Sequence, residues 1–332
     1  MSGETTTQSS VWNWQTPEPI AFSPYFDWPV RPFVILRYLL GRGFLLSLNT
    51  VYILLAIVMW WFLAPDLESW ARFSFDWVAE LYVINLVLIG GPAALLHLYF
   101  HTFRRQGVTR KFDATEPRVP DAKFLGGRQV WDNMFYTLVS GVSLWTVFQA
   151  IVMWAYATGL APWLDWREHP IWFAALFVLL PIWGSVHFYV IHRLLHWRPL
   201  YKIAHAVHHR NVNPIPWSGL SMHPIEHVLY LSFVFIHLLI ASHPIHMFYL
   251  SYTKLISAVT SHSGYEDLLV GERRTVEIGE FFHQIHHRYF DCNYGTLIVP
   301  LDKWFGSLHD GSAEATVRVR ALQLDRHRES SH

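Results

Sequence analysis

Apolar residues run in blocks along this chain, and four blocks are long enough to cross a bilayer, which takes about 20 residues. They are FLLSLNTVYILLAIVMWWFLA (44–64), WVAELYVINLVLIGGPAALLHLYF (77–100), NMFYTLVSGVSLWTVFQAIVMWAYA (133–157) and IWFAALFVLLPIWGSVHFYVI (171–191). Gly90, Gly91 and Pro92 predict a kink in the second block, and Pro181 interrupts the fourth. A weaker apolar stretch, 228–259, carries His237, His243, Pro244 and His246 and is too polar in its middle for a clean crossing. A re-entrant or interfacial hairpin fits that pattern better. The first 30 residues are polar and lack the basic start and apolar run of a signal peptide, so they read as a flexible or surface-lying tail. The chain turns polar again after Gly311, where a short strand or helix followed by disorder is expected.

These blocks divide the sequence into a polar tail and interfacial segment (1–43), a first transmembrane hairpin with a basic loop (44–130), a histidine-bearing unit (131–311) and a polar tail (312–332). The expected fold is all-α: a membrane bundle of about four transmembrane helices plus the hairpin, with a histidine-rich cap.

Charge orients the bundle. The segment 101–130 holds Arg104, Arg105, Arg110, Lys111, Arg118, Lys123 and Arg128, whereas the loops 65–76 and 158–170 hold Arg72 and Arg167. Basic loops stay inside, which places 101–130 in the cytoplasm together with Arg31, Arg37 and Arg42. The fourth block then re-enters the cytoplasm at His192. Both termini and all the histidine motifs fall on that side.

Composition agrees with a membrane protein: 52% of residues are hydrophobic, 15% are charged, and 17 are Trp. A formal net charge of zero gives no footprint for nucleic acid. The single cysteine, Cys292, excludes an internal disulfide and a CxxC metal site.

Histidine is the anomaly. There are 21, and 15 of them lie between 187 and 287. The spacing H-x-x-H-H occurs twice, as His205, His208 and His209 and as His283, His286 and His287. His192 and His196 in HRLLH stand at i and i+4. On a helix these spacings put the rings on one face, so each group is expected to converge on one side. Imidazole suits Fe, Zn, Cu and Ni. Eight such ligands exceed the need of one ion, and two ions is the economical count. His262 in SHSGYED is a further candidate ligand. So are His223 and His227 in MHPIEH, where Glu226 is a candidate supporting carboxylate. His187 lies one step above His192. The remaining histidines read as ordinary core or surface residues.

FYVIHRLLH, HAVHH, MHPIEH, SHSGYED and FFHQIHHRYFDCNYGTLIVPLDKWFGS together resemble the fatty acid hydroxylase/sterol desaturase superfamily of integral-membrane di-iron oxygenases, over about 135–310. The most specific match is the end of the last box: Asn293, Tyr294 and Gly295, then Asp302, Phe305 and Gly306. Ser185 departs from the pattern, which often has an aspartate before the first box. The resemblance implies a fatty acid hydroxylase-like catalytic domain over 131–311, with two iron ions and zinc as a mis-metallating substitute. The implied ligands are His192, His196, His205, His208, His209, His283, His286 and His287, completed by His262 and by His223 or His227. The implied activity is O2-dependent hydroxylation or desaturation of a lipid held in the bilayer, whether sterol-like, fatty acyl, sphingolipid or carotenoid.

The chain has no GxGxxG fingerprint, so electrons are expected from a separate donor: a cytochrome b5-like protein, a ferredoxin or a reductase. Arg193, Arg198, Lys202 and Arg210 are the expected docking face, and Tyr189 and Trp183 the candidate substrate channel. Two other classes compete. A metal transporter predicts histidines spread along several spans, whereas here they cluster beside the membrane. A zinc hydrolase needs an open zinc position and a positioned base, for which Glu226 is the one carboxylate inside a histidine motif.

Overall fold

In the computed structural model the described residues are 12–116 and 119–329. Among these residues three helices are long and apolar enough to cross a membrane: Phe75–Thr102, Gln129–Ala157 and Pro170–Leu195, of 28, 29 and 26 residues. The middle one has 56% of its apolar window buried, against 28% and 33% for its neighbours, so it is the centre of the bundle. Inside it, Asn85 Nδ2 donates to Thr146 Oγ1 at 3.0 Å and to Gln149 Oε1 at 2.8 Å, a polar clasp between the first two long helices. The block expected at 44–64 forms the helix Leu48–Leu63, which is shorter than a full crossing. Ser47 starts it by accepting from Asn49 N at 3.2 Å.

The 228–259 stretch is a helical hairpin, Pro224–Leu238 and Pro244–Ser261, that leaves the histidine end and returns to it. Its tip reaches the opposite end of the bundle, where Ser242 N donates to Pro162 O at 3.2 Å. The hairpin is therefore held inside the protein and not at the interface. Much of its polar middle is bonded there: His237 Nδ1 and Tyr156 Oη lie 2.8 Å and 2.7 Å from Ser242 Oγ, and His237 Nε2 is left without a partner. His246 Nε2–H donates to Phe173 O at 2.9 Å. Packing, not lipid, receives these groups, so the hydropathy of the stretch understates its depth.

A cap covers one end of the bundle. It comprises a helical stretch at 198–209, the turn Pro216–Leu220, an antiparallel pair of strands (Asp267–Val270 and Arg273–Glu277), the helix Phe281–Tyr289, and the helix Ala313–Glu329. Gly219 lets the turn touch the hairpin: a Cβ there would lie 2.1 Å from Ala258 O. Residues 12–26 strap the cap. Trp12 meets Phe281 edge-on at 5.1 Å, and Ser23 N donates to Leu297 O at 2.8 Å. The C-terminal segment is helical from 313 and is tied down by Gln323 Nε2 donating to Tyr289 O at 2.6 Å.

Candidate metal centre

The histidines come from three places that the fold brings together: the cap-side end of Pro170–Leu195, the stretch 198–209, and Phe281–Tyr289. His262 adds a ring from just beyond Pro244–Ser261. Their ligating atoms form two clusters, each within 4.8 Å: His192, His196, His205, His209 and His286 in the first, and His208, His262, His283 and His287 in the second. All are buried except His196, which is half-buried.

Each H-x-x-H-H box is split between the clusters. His205 and His209 belong to the first and His208 to the second, while His283 and His287 belong to the second and His286 to the first. At 3.6 residues per turn, i+4 sits about 40° to one side of i and i+3 about 60° to the other. The i,i+4 pair therefore stays together, and the i+3 ring crosses to the facing cluster. The expectation that all three rings of a box converge is corrected on this point.

Backbone carbonyls set the tautomers. Tyr294 O receives His192 Nδ1–H at 2.7 Å, Cys292 O receives His286 Nδ1–H at 2.6 Å, and Ala258 O receives His262 Nδ1–H at 2.8 Å. A carbonyl can only accept, so the proton is on Nδ1 and each Nε2 keeps a lone pair. His205 Nδ1 faces Glu226 Oε1 at 2.7 Å, with both groups buried. Burial, reinforced by the neighbouring rings, holds the imidazoles of His205, His209, His283, His286 and His287 well below the usual range and so keeps them neutral.

The closing motif explains the carbonyls. Asn293 adopts φ 52° and is held by three bonds: Nδ2 donates to Phe282 O at 3.0 Å and to His309 O at 2.9 Å, and Oδ1 accepts from His309 N at 2.7 Å. Asp302 accepts from Tyr294 N at 2.9 Å and from Gly295 N at 2.7 Å. A Cβ on Gly295 would meet Asp302 Oδ2 at 2.9 Å. The Asn-Tyr-Gly turn and Asp302 thus aim two carbonyls at His192 and His286. Ser185, which replaces the expected aspartate, bonds Thr296 Oγ1 at 2.8 Å instead of a ligand ring.

Neutral rings do not explain the nitrogen spacing. In the second cluster the Nε2 atoms of His262, His283 and His287 form a triangle with sides of 3.0, 3.1 and 3.2 Å. In the first, His286 Nε2 lies 3.0 Å from His209 Nε2, and His196 Nε2 lies 3.1 Å from those of His205 and His209. One ring N–H can satisfy one neighbour, not two. Nitrogens at about 2.1 Å from one ion, with bonds near 90° apart, stand about 3.0 Å from each other. The donor set fits a metal in each cluster.

His223 and His227 stay outside both clusters, contrary to their assignment as ligands. His223 caps Pro224–Leu231, with Nδ1 accepting from Ile225 N at 3.3 Å. His227 has no free nitrogen: Nε2 bonds Leu220 O at 3.1 Å and Nδ1 bonds Ser140 Oγ at 3.0 Å. The intervening Glu226 is the member of that motif that turns inward. His187 Nε2 lies 2.9 Å from Ser232 Oγ, likewise away from the centre.

A cavity of about 60 Å³ faces both clusters, lined by His192 and His205 of the first and by His208, His262 and His283 of the second. Phe188, Ile191, Leu195 and Met222 supply its apolar wall, and Glu226, Lys254 and Glu280 are its ionisable members. It has room for a few atoms, not for a whole lipid. The channel candidates do not line it: Tyr189 stacks on Phe305 at 5.8 Å, and Trp183 Nε1 donates to Phe233 O at 3.0 Å. Sequence reasoning missed Lys254, whose signal was a lone cation in an apolar stretch. It also missed the three carbonyls, which have no side-chain signature.

Two buried histidine clusters that could each hold a metal ion thus lie at the end of an apolar helical bundle. Residues 177–307 match the Fatty acid hydroxylase family, and this segment is similar to proteins of the fatty acid hydroxylase/sterol desaturase superfamily. It is 32% identical over 139 residues to a Delta(7)-sterol 5(6)-desaturase of Gibberella zeae, covering 41% of this chain and 42% of the relative. It is 31% identical over 149 residues to Methylsterol monooxygenase 1 of Gallus gallus (43% and 50%). It is 32% identical over 169 residues to Fatty acid hydroxylase domain-containing protein 2 of Macaca fascicularis (48% and 48%). The chain spans about half the length of the curated relatives it matches. No solved structure gives a significant match.

Proposed function

We propose that this chain is a membrane-bound di-iron oxygenase that uses O2 to hydroxylate or desaturate a C–H bond of a bilayer lipid, with 131–311 as its catalytic domain. The observation that carries the reading is the pair of clusters with their nitrogens about 3 Å apart, both facing one cavity with an apolar wall. His192, His196, His205, His209 and His286 would hold one iron, and His208, His262, His283 and His287 the other. When bound, the irons supply the redox chemistry that a C–H bond demands and that no acid–base side chain provides.

The protein's own part is orientation and exclusion. The carbonyls of Tyr294, Cys292 and Ala258 hold three rings in the tautomer that presents Nε2. Glu226 holds His205 in the same way. Phe188, Ile191 and Met222 keep water from the few atoms that enter the cavity. A methyl or methylene group fits that space, with the rest of the lipid left toward the bundle. The names of the relatives make a sterol-like lipid the first substrate to test. The basic 101–130 segment supports a cytoplasmic cap. Electrons come from a separate donor. Arg210 is a weak candidate for its docking face, because its Nη2 lies 2.7 Å from the buried carboxylate of Asp132.

The test is elemental analysis and Mössbauer spectroscopy of the full chain purified in detergent. About two irons per chain with a coupled signal is expected, followed by lipid oxidation when O2 and a reductant are supplied. Failure to retain iron after anaerobic reconstitution would overturn the reading.

A further inference from the structure

A second cavity, of about 730 Å³, lies at the cap-side ends of the first two long helices. None of the clustered histidines lines it. The turn Pro216–Leu220 stands between the two cavities: Ile215, just before it, lines this one, and Gly219, within it, lines the other. The volume is that of a site for a sizeable ligand, about twelve times what the centre offers.

Its charge is one-sided. Among the described residues three cations line it, Arg104, Lys111 and Arg128, against one carboxylate, Glu116. Glu116 is shared by Arg104 at 3.4 Å and Lys111 at 3.5 Å. Among the described residues Arg128 has no acidic partner. His97 also lines the cavity, and its Nδ1 is buried with no hydrogen-bond partner. Its ring stacks on His101 at 5.3 Å, whose Nε2 is already bonded to Ser263 O at 3.0 Å. Two positive charges in excess call for an anion, and His97 can add a donor to it in the Nδ1–H tautomer.

The walls say what carries the anion. Phe100, Met134 and Ile215 make an apolar floor, and the rim exposes Trp131 and Val119, 62% and 64% accessible. The rim sits where two apolar helices end, and at such ends the headgroup level is where Trp is favoured. Below it the same two helices expose Leu95, Leu98, Phe135 and Val139, an apolar flank along which an acyl tail can lie. Basic pockets between transmembrane helices on the cytoplasmic side suit acidic lipid headgroups.

We propose that this cavity binds a lipid with an acidic headgroup and an acyl tail, at a site separate from the histidine centre. The cavity also touches that centre's support. Gln129 lines it and donates to Asn211 Oδ1 at 2.9 Å, and Asn211 Nδ2 donates to His208 O at 3.0 Å.

Native mass spectrometry of the full chain in detergent, titrated with phosphatidylglycerol, oleate or phosphatidylcholine, tests the proposal. One acidic lipid is expected to be retained, and phosphatidylcholine is not. Retention of phosphatidylglycerol alone assigns a phosphate headgroup, oleate alone a carboxylate, and both a site selective for acidity and tail. Arg128→Glu should weaken retention at least about tenfold, while Arg198→Glu, an exposed cap cation outside the cavity, should not. Met134→Trp fills the cavity without changing its charge and should also lose the lipid, with an unchanged melting temperature confirming that it folds. Equal retention of phosphatidylcholine, or wild-type retention by both Arg128→Glu and Met134→Trp, would overturn the site.

Discussion

The two histidine clusters are built from the same motif but braced differently. In the first, His192 and His286 are fixed by carbonyls of one loop and His205 by the buried Glu226. In the second, His262 alone is fixed, by Ala258 O, while Nδ1 of His208 and of His287 are buried without a partner; the first cluster has one such nitrogen, on His209. A carboxylate behind a ligating ring raises its basicity and orients it. The first cluster therefore has the larger number of braced rings, three against one. Similar ligands need not make equivalent sites when the second layer differs.

The largest effects separate neighbours in sequence. His286→Ala and His287→Ala should each abolish turnover and lower iron from about two to about one per chain, but at different clusters. Mössbauer spectra of the two variants should therefore differ. Identical residual spectra would show that the division into clusters is wrong. Glu226→Gln should weaken metal retention at the first cluster by about 10–100-fold and leave the second loaded. A graded chelator titration of the wild type should empty the second cluster before the first, read as two steps by absorbance and elemental analysis. Simultaneous loss would erase the contrast in bracing.

A smaller effect is expected at the loop behind the first cluster. Asn293→Ala removes three buried bonds at a positive-φ position and should cost about 1–3 kcal/mol. Thermal unfolding measures it, with the first cluster losing iron more readily than in the wild type. The smallest change is His223→Ala: iron content should stay at the wild-type level, because that ring caps a helix and reaches neither cluster. A loss of iron there would return His223 to the ligand set.

Much of this was legible in the residue order. Helical spacing marked eight of the nine clustered histidines, all but His262, because i, i+3 and i+4 repeat on one flank wherever the backbone is helical. Apolar runs marked the three long helices, and the Asn-Tyr-Gly and Asp302 residues marked the closing turn. Local rules reached that far because each depends on neighbours in the chain.

The rest required packing. His223 and His227 share the spacing of true pairs, yet His227 is spent on Leu220 O and Ser140 Oγ, partners that spacing cannot show. The hairpin at 224–261 looked too polar to go deep, and Ser242, Tyr156 and Phe173 O bond much of its polar middle there. The sequence by itself determined a helical membrane chain with enough imidazoles for two ions, since both follow from periodicity and count. Which ring serves which ion was decided only by the tertiary structure. His208 and His286 cross to the facing clusters because the two boxes approach across the cap, and an i+3 ring lies on the far side of its own helix face from its i+4 neighbour.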